Sequence, residues 1–151
     1  MKKGFALILS LIIIIVSCIN VSAQSTASHN LLGLDTYSNA NSRYTHITAV
    51  SATIGEKSLG FVICNSSYIC ILDNYTFTLT CTLQRTDGST GWQDYKTHTE
   101  TFTDVGTNII EKTWYAPAGY TYRTYTTVVV KNSRTGKVVE TATADSPFIY
   151  R

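Results

Sequence analysis

Residues 75–84, YTFTLTCTLQ, constrain the fold more than any other part of this 151-residue chain. The even positions carry four threonines and one glutamine, and the odd positions carry the apolar residues Tyr75, Phe77, Leu79, Cys81 and Leu83. Successive side chains of a strand point to opposite faces, so this alternation predicts a β-strand with one face on a core and one in water. The rest of the chain can be interpreted as further strands packing on that apolar face.

Turn signals separate segments rich in β-forming residues from Arg43 to the end of the chain. They predict strands at 44–54, 59–64, 68–72, 75–84, 92–103, 108–115, 120–131 and 137–143. Residues 65–67 are interpreted as a turn, and the even positions of 120–131 are expected to face the core. This pattern predicts an all-β fold, an antiparallel β-sandwich of about seven strands over residues 43–151.

The N-terminus has the pattern of a secretory signal peptide. Two lysines precede an apolar run at 5–16, and small residues at 21–23 offer a cleavage site. The run is shorter than the ~20 residues that a membrane-spanning helix needs. We therefore expect residues 1–23 to be removed, leaving no membrane span, and residues 24–42, rich in Ser, Asn, Ala and Thr, to form a flexible leader.

Two localisations are compatible with this N-terminal sequence. Residues 15–18, Ile-Val-Ser-Cys, resemble a bacterial lipoprotein box, in which Cys18 would be lipidated and anchor the protein at the cell surface. The other expectation is a secreted protein.

The mature chain would be neutral, because two of the twelve basic residues lie in the signal and all ten acidic residues follow it. A neutral domain gives no electrostatic reason to expect nucleic acid as a partner.

Three cysteines follow the signal, namely Cys64, Cys70 and Cys81. An odd number in an exported chain allows at most one internal bridge, and Cys64 with Cys70 could close a short loop as a disulfide. Cys81 lies on the core face of its strand and is interpreted as a small buried hydrophobe.

A resemblance adds to the prediction of a sandwich. The stretch WYAPAGYTYRTYTTVVV, residues 114–130, resembles a fibronectin type III strand, its Pro/Gly loop and the next strand. The resemblance implies that Tyr122 or Tyr120 is the corner tyrosine of an immunoglobulin-like fold.

The mature chain also resembles a group of small uncharacterised secreted proteins of Gram-positive bacteria, in its early Ser-Arg-Tyr strand, its Gly…Trp92 hairpin and its Gly136-Lys137-Val138-Val139-Glu140 segment. That likeness implies export and a sandwich, not an activity.

No catalytic, cofactor or metal motif is recognised. The histidines His29, His46 and His98 have no second histidine two or four residues away, and no GxSxG, HExxH, SxxK or P-loop occurs. Trp92 could stack on a sugar as part of a binding surface, but packing in the core or at its rim is the preferred interpretation for each tryptophan. Tyr125 beside Arg123, expected on the solvent-exposed face, is the better candidate for a binding surface. Threonines alternate along two predicted strands, at 76, 78, 80 and 82 and at 97, 99, 101 and 103. If the two strands pair, these threonines would form a grid of hydroxyl groups that resembles the arrays of ice-binding proteins. Such arrays usually come from a repeated solenoid, which this chain lacks, so a solvated strand face is the preferred interpretation.

These observations predict an exported, non-enzymatic β-sandwich that acts by contact at or outside the cell surface, with protein or cell-wall polysaccharide as partner. One alternative is a secreted toxin or small hydrolase whose site is assembled across strands, for which a cleft with His46 or His98 beside a carboxylate would be the signature. Another is a structural or immunity-type lipoprotein anchored through Cys18.

Overall fold

A computed structural model describes residues 28–29, 35–39 and 44–151, and these ranges form an all-β protein. Seven of its ten strands have eight or more residues. The strands are β1 (Ser28–His29), β2 (Asp35–Asn39), β3 (Ala49–Glu56), β4 (Phe61–Cys70), β5 (Tyr75–Thr86), β6 (Gln93–Phe102), β7 (Gly106–Tyr115), β8 (Thr121–Asn132), β9 (Val138–Asp145) and β10 (Ile149–Tyr150). The predicted signal peptide and Cys18 lie outside the described residues.

The strands form two antiparallel sheets that pack face to face as a sandwich. The first sheet has the order β1-β2-β3-β4-β7. The second has the order β10-β8-β5-β6, and β9 pairs with β8 along the same edge as β10. β1 and β2 come from the segment that was expected to be a flexible leader, so the described parts of that segment add strands to the first sheet instead.

The alternation that predicted β5 is confirmed by its burial. Phe77, Leu79, Cys81 and Leu83 are completely buried, while the threonines between them lie on the outer face. β8 follows the predicted inward pattern as well, with its even residues from Tyr122 to Val130 buried. The two longest strands, of twelve residues each, pair along their whole length and form the centre of the second sheet.

β4 is one continuous strand, where the sequence had suggested two short strands separated by a turn at 65–67. The turn-forming residues are accommodated because their side chains bond to neighbouring strands. Ser67 Oγ lies 2.7 Å from Ser51 Oγ, and Asn65 Nδ2 donates to Thr53 Oγ1 at 3.2 Å. Ser66 faces the interior, where its Oγ lies 2.6 Å from Thr126 Oγ1 of the other sheet. Tertiary partners thus override the local turn preference.

One end of the sandwich is closed by a group of aromatic side chains. The hydroxyl of Tyr122, not that of Tyr120, donates to the Pro117 carbonyl oxygen at 2.8 Å. Beside it, the Arg85 guanidinium carbon lies 4.5 Å from the Tyr95 ring centroid and 4.6 Å from that of Tyr120. This stacking holds the end of β5 against the start of β6 and β8.

Candidate functional site

The outer face of the second sheet brings together the three residues that the sequence singled out as a binding surface. On this face, Gln84 of β5 lies between Asp94 of β6 and Arg123 of β8, in register with both. Tyr125 is two residues further along β8 on the same side, and Trp92 directly precedes β6. The pairing of three antiparallel strands therefore places residues from distant parts of the chain side by side.

Arg123 is the centre of this arrangement. Its guanidinium carbon lies 4.4 Å from the Trp92 ring centroid and 5.7 Å from the Tyr125 ring centroid. Its Nε donates to Gln84 Oε1 at 2.9 Å, and its Nη1 donates to Asp145 Oδ2, also at 2.9 Å. A guanidinium that is stacked on a ring and hydrogen-bonded on two edges has one fixed orientation.

The hydrogen bonds continue through Gln84 to a second carboxylate, because Gln84 Nε2 donates to Asp94 Oδ1 at 2.8 Å. The guanidinium therefore bonds one carboxylate, Asp145, directly and is linked to the second, Asp94, through the Gln84 amide. The group formed by these residues is called the Arg123 cluster below: Gln84, Trp92, Asp94, Arg123, Tyr125 and Asp145.

The cluster combines a planar ring with fixed polar groups at the surface. Asp145 has 49% of its side chain exposed, whereas Arg123 has only 20%. Trp92 and Tyr125 are half-buried, so each ring keeps part of its surface open to solvent. Carboxylate and amide oxygens accept hydrogen bonds from hydroxyl groups, and an indole ring packs on an apolar sugar face. The arrangement is suited to holding a ligand.

The sequence identified Trp92, Arg123 and Tyr125 but missed the amide and both carboxylates of the cluster. Asp94 and Gln84 meet because the register between β5 and β6 shifts at a bulge between Leu83 and Gln84. Such a bulge changes which face a residue occupies and has no strong sequence signal.

The cysteines do not form the predicted disulfide. Cys64 and Cys70 both lie on β4, six residues apart on one continuous strand, which separates their Cα atoms by about 20 Å. A disulfide requires Cα atoms less than about 7 Å apart. Cys64, Cys70 and Cys81 are free and buried. Burial raises the pKa of the Cys64 thiol to about 12 and also raises those of the other two.

Two histidines each bond a carboxylate. His46 Nδ1 lies 2.7 Å from Glu140 Oε2, which also accepts the backbone N–H groups of Thr45 and His46 at 3.1 and 2.8 Å. The pair is largely buried, with 16% and 11% of the two side chains exposed. His98 Nε2 lies 2.7 Å from Glu100 Oε1 at a more exposed position. In the described part of the chain, no group of three His, Cys, Asp or Glu residues could hold a metal ion.

A surface cleft lies at the opposite end of β8 and is lined by Asn74, Asn132, Ser133 and Arg134. Several of its polar groups bond within the β8–β9 hairpin or between this hairpin and Asn74. Asn132 Oδ1 accepts the backbone N–H groups of Arg134 at 3.1 Å and Thr135 at 3.0 Å, and the Ser133 N–H donates to the Asn74 carbonyl. The cleft is therefore explained by the turn that forms it.

No family model, curated protein or solved structure matches this chain. Within the described ranges, no helix has the length and hydropathy needed to cross a bilayer.

Proposed function

We propose that this chain is an exported, non-enzymatic β-sandwich protein that acts by binding a polysaccharide at or outside the cell surface. The observation that carries the proposal is the Arg123 cluster, in which a surface tryptophan, a fixed guanidinium, an amide and two carboxylates lie on one sheet face. Export is supported by the signal-like N-terminal sequence.

The chemistry of the cluster favours a polysaccharide over a protein partner. Trp, Tyr and Arg are common in protein interfaces, but Asp is depleted there, and this surface carries both Asp94 and Asp145. Sugar hydroxyls donate to carboxylates and accept from amides and guanidinium groups, so each polar group of the cluster has a partner on a sugar. Trp92 supplies the flat apolar contact that a pyranose ring needs.

We further propose that the sandwich is of the fibronectin type III or immunoglobulin-like type. The support is the hydrogen bond from the Tyr122 hydroxyl to the Pro117 carbonyl, five residues upstream, which is the geometry of a corner tyrosine. Membership of the group of small secreted Gram-positive proteins is proposed on the sequence likeness alone.

The binding proposal is tested with the purified protein on immobilised cell-wall polysaccharide fractions. We expect W92A to weaken retention at least tenfold, which corresponds to about 1.4 kcal/mol, because it removes the stacking surface. Y115A is the matched control, since Tyr115 is a 53% exposed aromatic residue on the outer face of the first sheet. Retention of the wild type no better than that of an unrelated sandwich would count against the proposal.

A second candidate function is a secreted toxin or small hydrolase, and the His46–Glu140 pair favours it. A carboxylate that bonds Nδ1 orients the imidazole for acid–base work at Nε2. The test is turnover of ester, peptide and glycoside substrates by wild type and H46A. Turnover that H46A abolishes would support this candidate, and an inactive wild type would remove it.

The form of export is tested separately by mass spectrometry of the mature N-terminus. An unmodified chain that starts at Gln24 indicates secretion, whereas a lipidated Cys18 indicates the surface-anchored, immunity-type lipoprotein.

A further inference from the structure

The two threonine ladders of the sequence lie side by side on the same outer face as the Arg123 cluster. β5 and β6 pair so that three threonines of one strand lie directly opposite three threonines of the other. This set is called the threonine field: Thr78 opposite Thr101, Thr80 opposite Thr99, and Thr82 opposite Thr97. β8 and β9 extend its middle row, because Thr127 lies beside Thr80 and Thr143 beside Thr127.

The threonine field is a neutral surface of hydroxyl and methyl groups. In two of the three pairs the hydroxyls bond across the strands, with 3.1 Å between Oγ1 of Thr80 and Thr99 and 3.4 Å between Oγ1 of Thr97 and Thr82. The side of the field on β6 is exposed to solvent, and the side on β5 is half-buried except for Thr82, which is 5% exposed. Each hydroxyl retains acceptor capacity after one such bond.

The field and the Arg123 cluster form one continuous surface. Gln84 follows Thr82 on the same face of β5, and Tyr125 of the cluster is in register with Thr82. From Gln84 to Thr78 the surface extends over six residues, or about 20 Å along the strand. This length accommodates several sugar residues placed end to end.

The distribution of charge indicates which kind of polymer fits this surface. The field contributes no charge, and the cluster contains one guanidinium, which bonds Asp145, and a second carboxylate, Asp94, which is bonded by Gln84. At the cluster, an anionic polymer would meet two carboxylates and one guanidinium that already bonds one of them, and the other cation on this face of β8, Lys131, lies beyond the field beside Thr76. A neutral polymer meets no such repulsion, and its hydroxyls match the threonine hydroxyls.

We infer that the threonine field and the Arg123 cluster together bind a linear, neutral polysaccharide lengthwise along β5 and β6. One sugar stacks on Trp92, and the following sugars lie over the threonines. The inference rests on the proposed function and adds the ligand class and the direction of the chain. It requires affinity to increase with the length of the oligosaccharide.

The test is calorimetric titration of the full-length purified protein with cello- and chito-oligosaccharides, as disaccharides, tetrasaccharides and hexasaccharides. For the wild type we expect the hexasaccharide to bind about tenfold more tightly than the disaccharide. T99K/T101K places two long charged side chains on the exposed edge of the field. It should remove the gain of affinity with length, so that the hexasaccharide binds no more tightly than the disaccharide.

The matched control is T107K/T113K, because these exposed threonines lie on β7, the edge strand of the other sheet. Its affinities should equal those of the wild type, and unchanged urea midpoints establish that both variants fold. Equal wild-type affinity for short and long ligands would overturn the inference while leaving the Arg123 cluster as a sugar site. An equal loss in both lysine variants, or self-association of the wild type through the field, would also overturn it. Binding of no oligosaccharide would overturn the proposed function as well.

Discussion

A buried hydroxyl pair between the two sheets allows a quantitative test of the packing. Thr126 Oγ1 of β8 lies 2.6 Å from Ser66 Oγ of β4 and donates to the Ser51 carbonyl oxygen at 3.2 Å. Thr126 and Ser66 are completely buried, so neither hydroxyl can turn to solvent in the folded state. The replacement T126V keeps the shape of the side chain and removes its hydroxyl.

The expected cost follows from the groups that T126V leaves without a partner. Ser66 Oγ loses a neighbour in the interior, and the half-buried Ser51 loses a donor to its carbonyl oxygen. A buried polar group without a partner costs about 1–3 kcal/mol, so T126V should lower the free energy of unfolding by about 2 kcal/mol. S66A removes the other hydroxyl and should cost a similar amount. The double variant S66A/T126V leaves fewer unsatisfied groups and should cost less than the sum of the two single changes by about 1 kcal/mol.

Urea unfolding followed by tryptophan fluorescence gives the three free energies, provided that the slope with urea stays the same in all variants. The matched control is T143V, because Thr143 lies on the outer face of β9 and should change stability by less than about 0.5 kcal/mol. If T126V is as stable as the wild type, the two hydroxyls do not form the bond described. If the double variant is fully additive, the two groups do not interact.

Three further results are expected from single groups. Y122F should lower the free energy of unfolding by about 1 kcal/mol in a urea titration because it removes the bond to the Pro117 carbonyl, whereas Y120F should not; equal effects would contradict this. Hydrogen bonds from Ser89 lower the pKa of Asp87 from 3.8 to about 2. The ionised Asp87 therefore stabilises the fold above pH ~4, and this stabilisation is lost as the pH falls towards 2. An NMR titration of Asp87 with a midpoint near 4 would refute the lowered pKa. Cys64, whose pKa burial raises to about 12, should resist iodoacetamide at pH 8 until the protein unfolds; rapid labelling of the folded protein would contradict its burial.

The sequence predicted the long strands because burial and solvent exposure alternate there without interruption. In β5 every odd residue from Phe77 to Leu83 is completely buried. The inward face of β8 was also predicted, even though it includes threonines, because Arg123 and Lys131 mark the opposite face as wet. In a strand with one buried and one solvent-exposed face, the residue pattern indicates which side faces the core.

β4 was divided into two strands because Asn65, Ser66 and Ser67 favour turns when only local residues are considered. Their partners lie on β3 and β8, far away in the sequence. The predicted disulfide between Cys64 and Cys70 depended on the same mistaken turn, which would have brought the two cysteines together. A local polarity pattern does not show whether a polar side chain has a distant partner.

The set of residues in the Arg123 cluster depends on a bulge in β6. Strict alternation of side chains along this strand would place some of these residues on the wrong face. Thr97 and Thr99 occupy odd positions and Asp94 an even one, so a regular strand would put them on opposite faces. In the structure they share the outer face, because Leu83 pairs with Lys96 while Gln84 pairs with Asp94, leaving one extra residue, Tyr95, between the two pairs.

The extra residue is held on the inner side by tertiary contacts. The Tyr95 ring packs against the Arg85 guanidinium at 4.5 Å and edge-on against Tyr122 at 6.3 Å. Because Arg85 and Tyr122 come from β5 and β8, the position of the bulge is decided by packing across three strands. Residue type and strand alternation were therefore enough to name Trp92 and Arg123 as candidates, whereas their amide and carboxylate partners depend on a register that only the assembled sheet fixes.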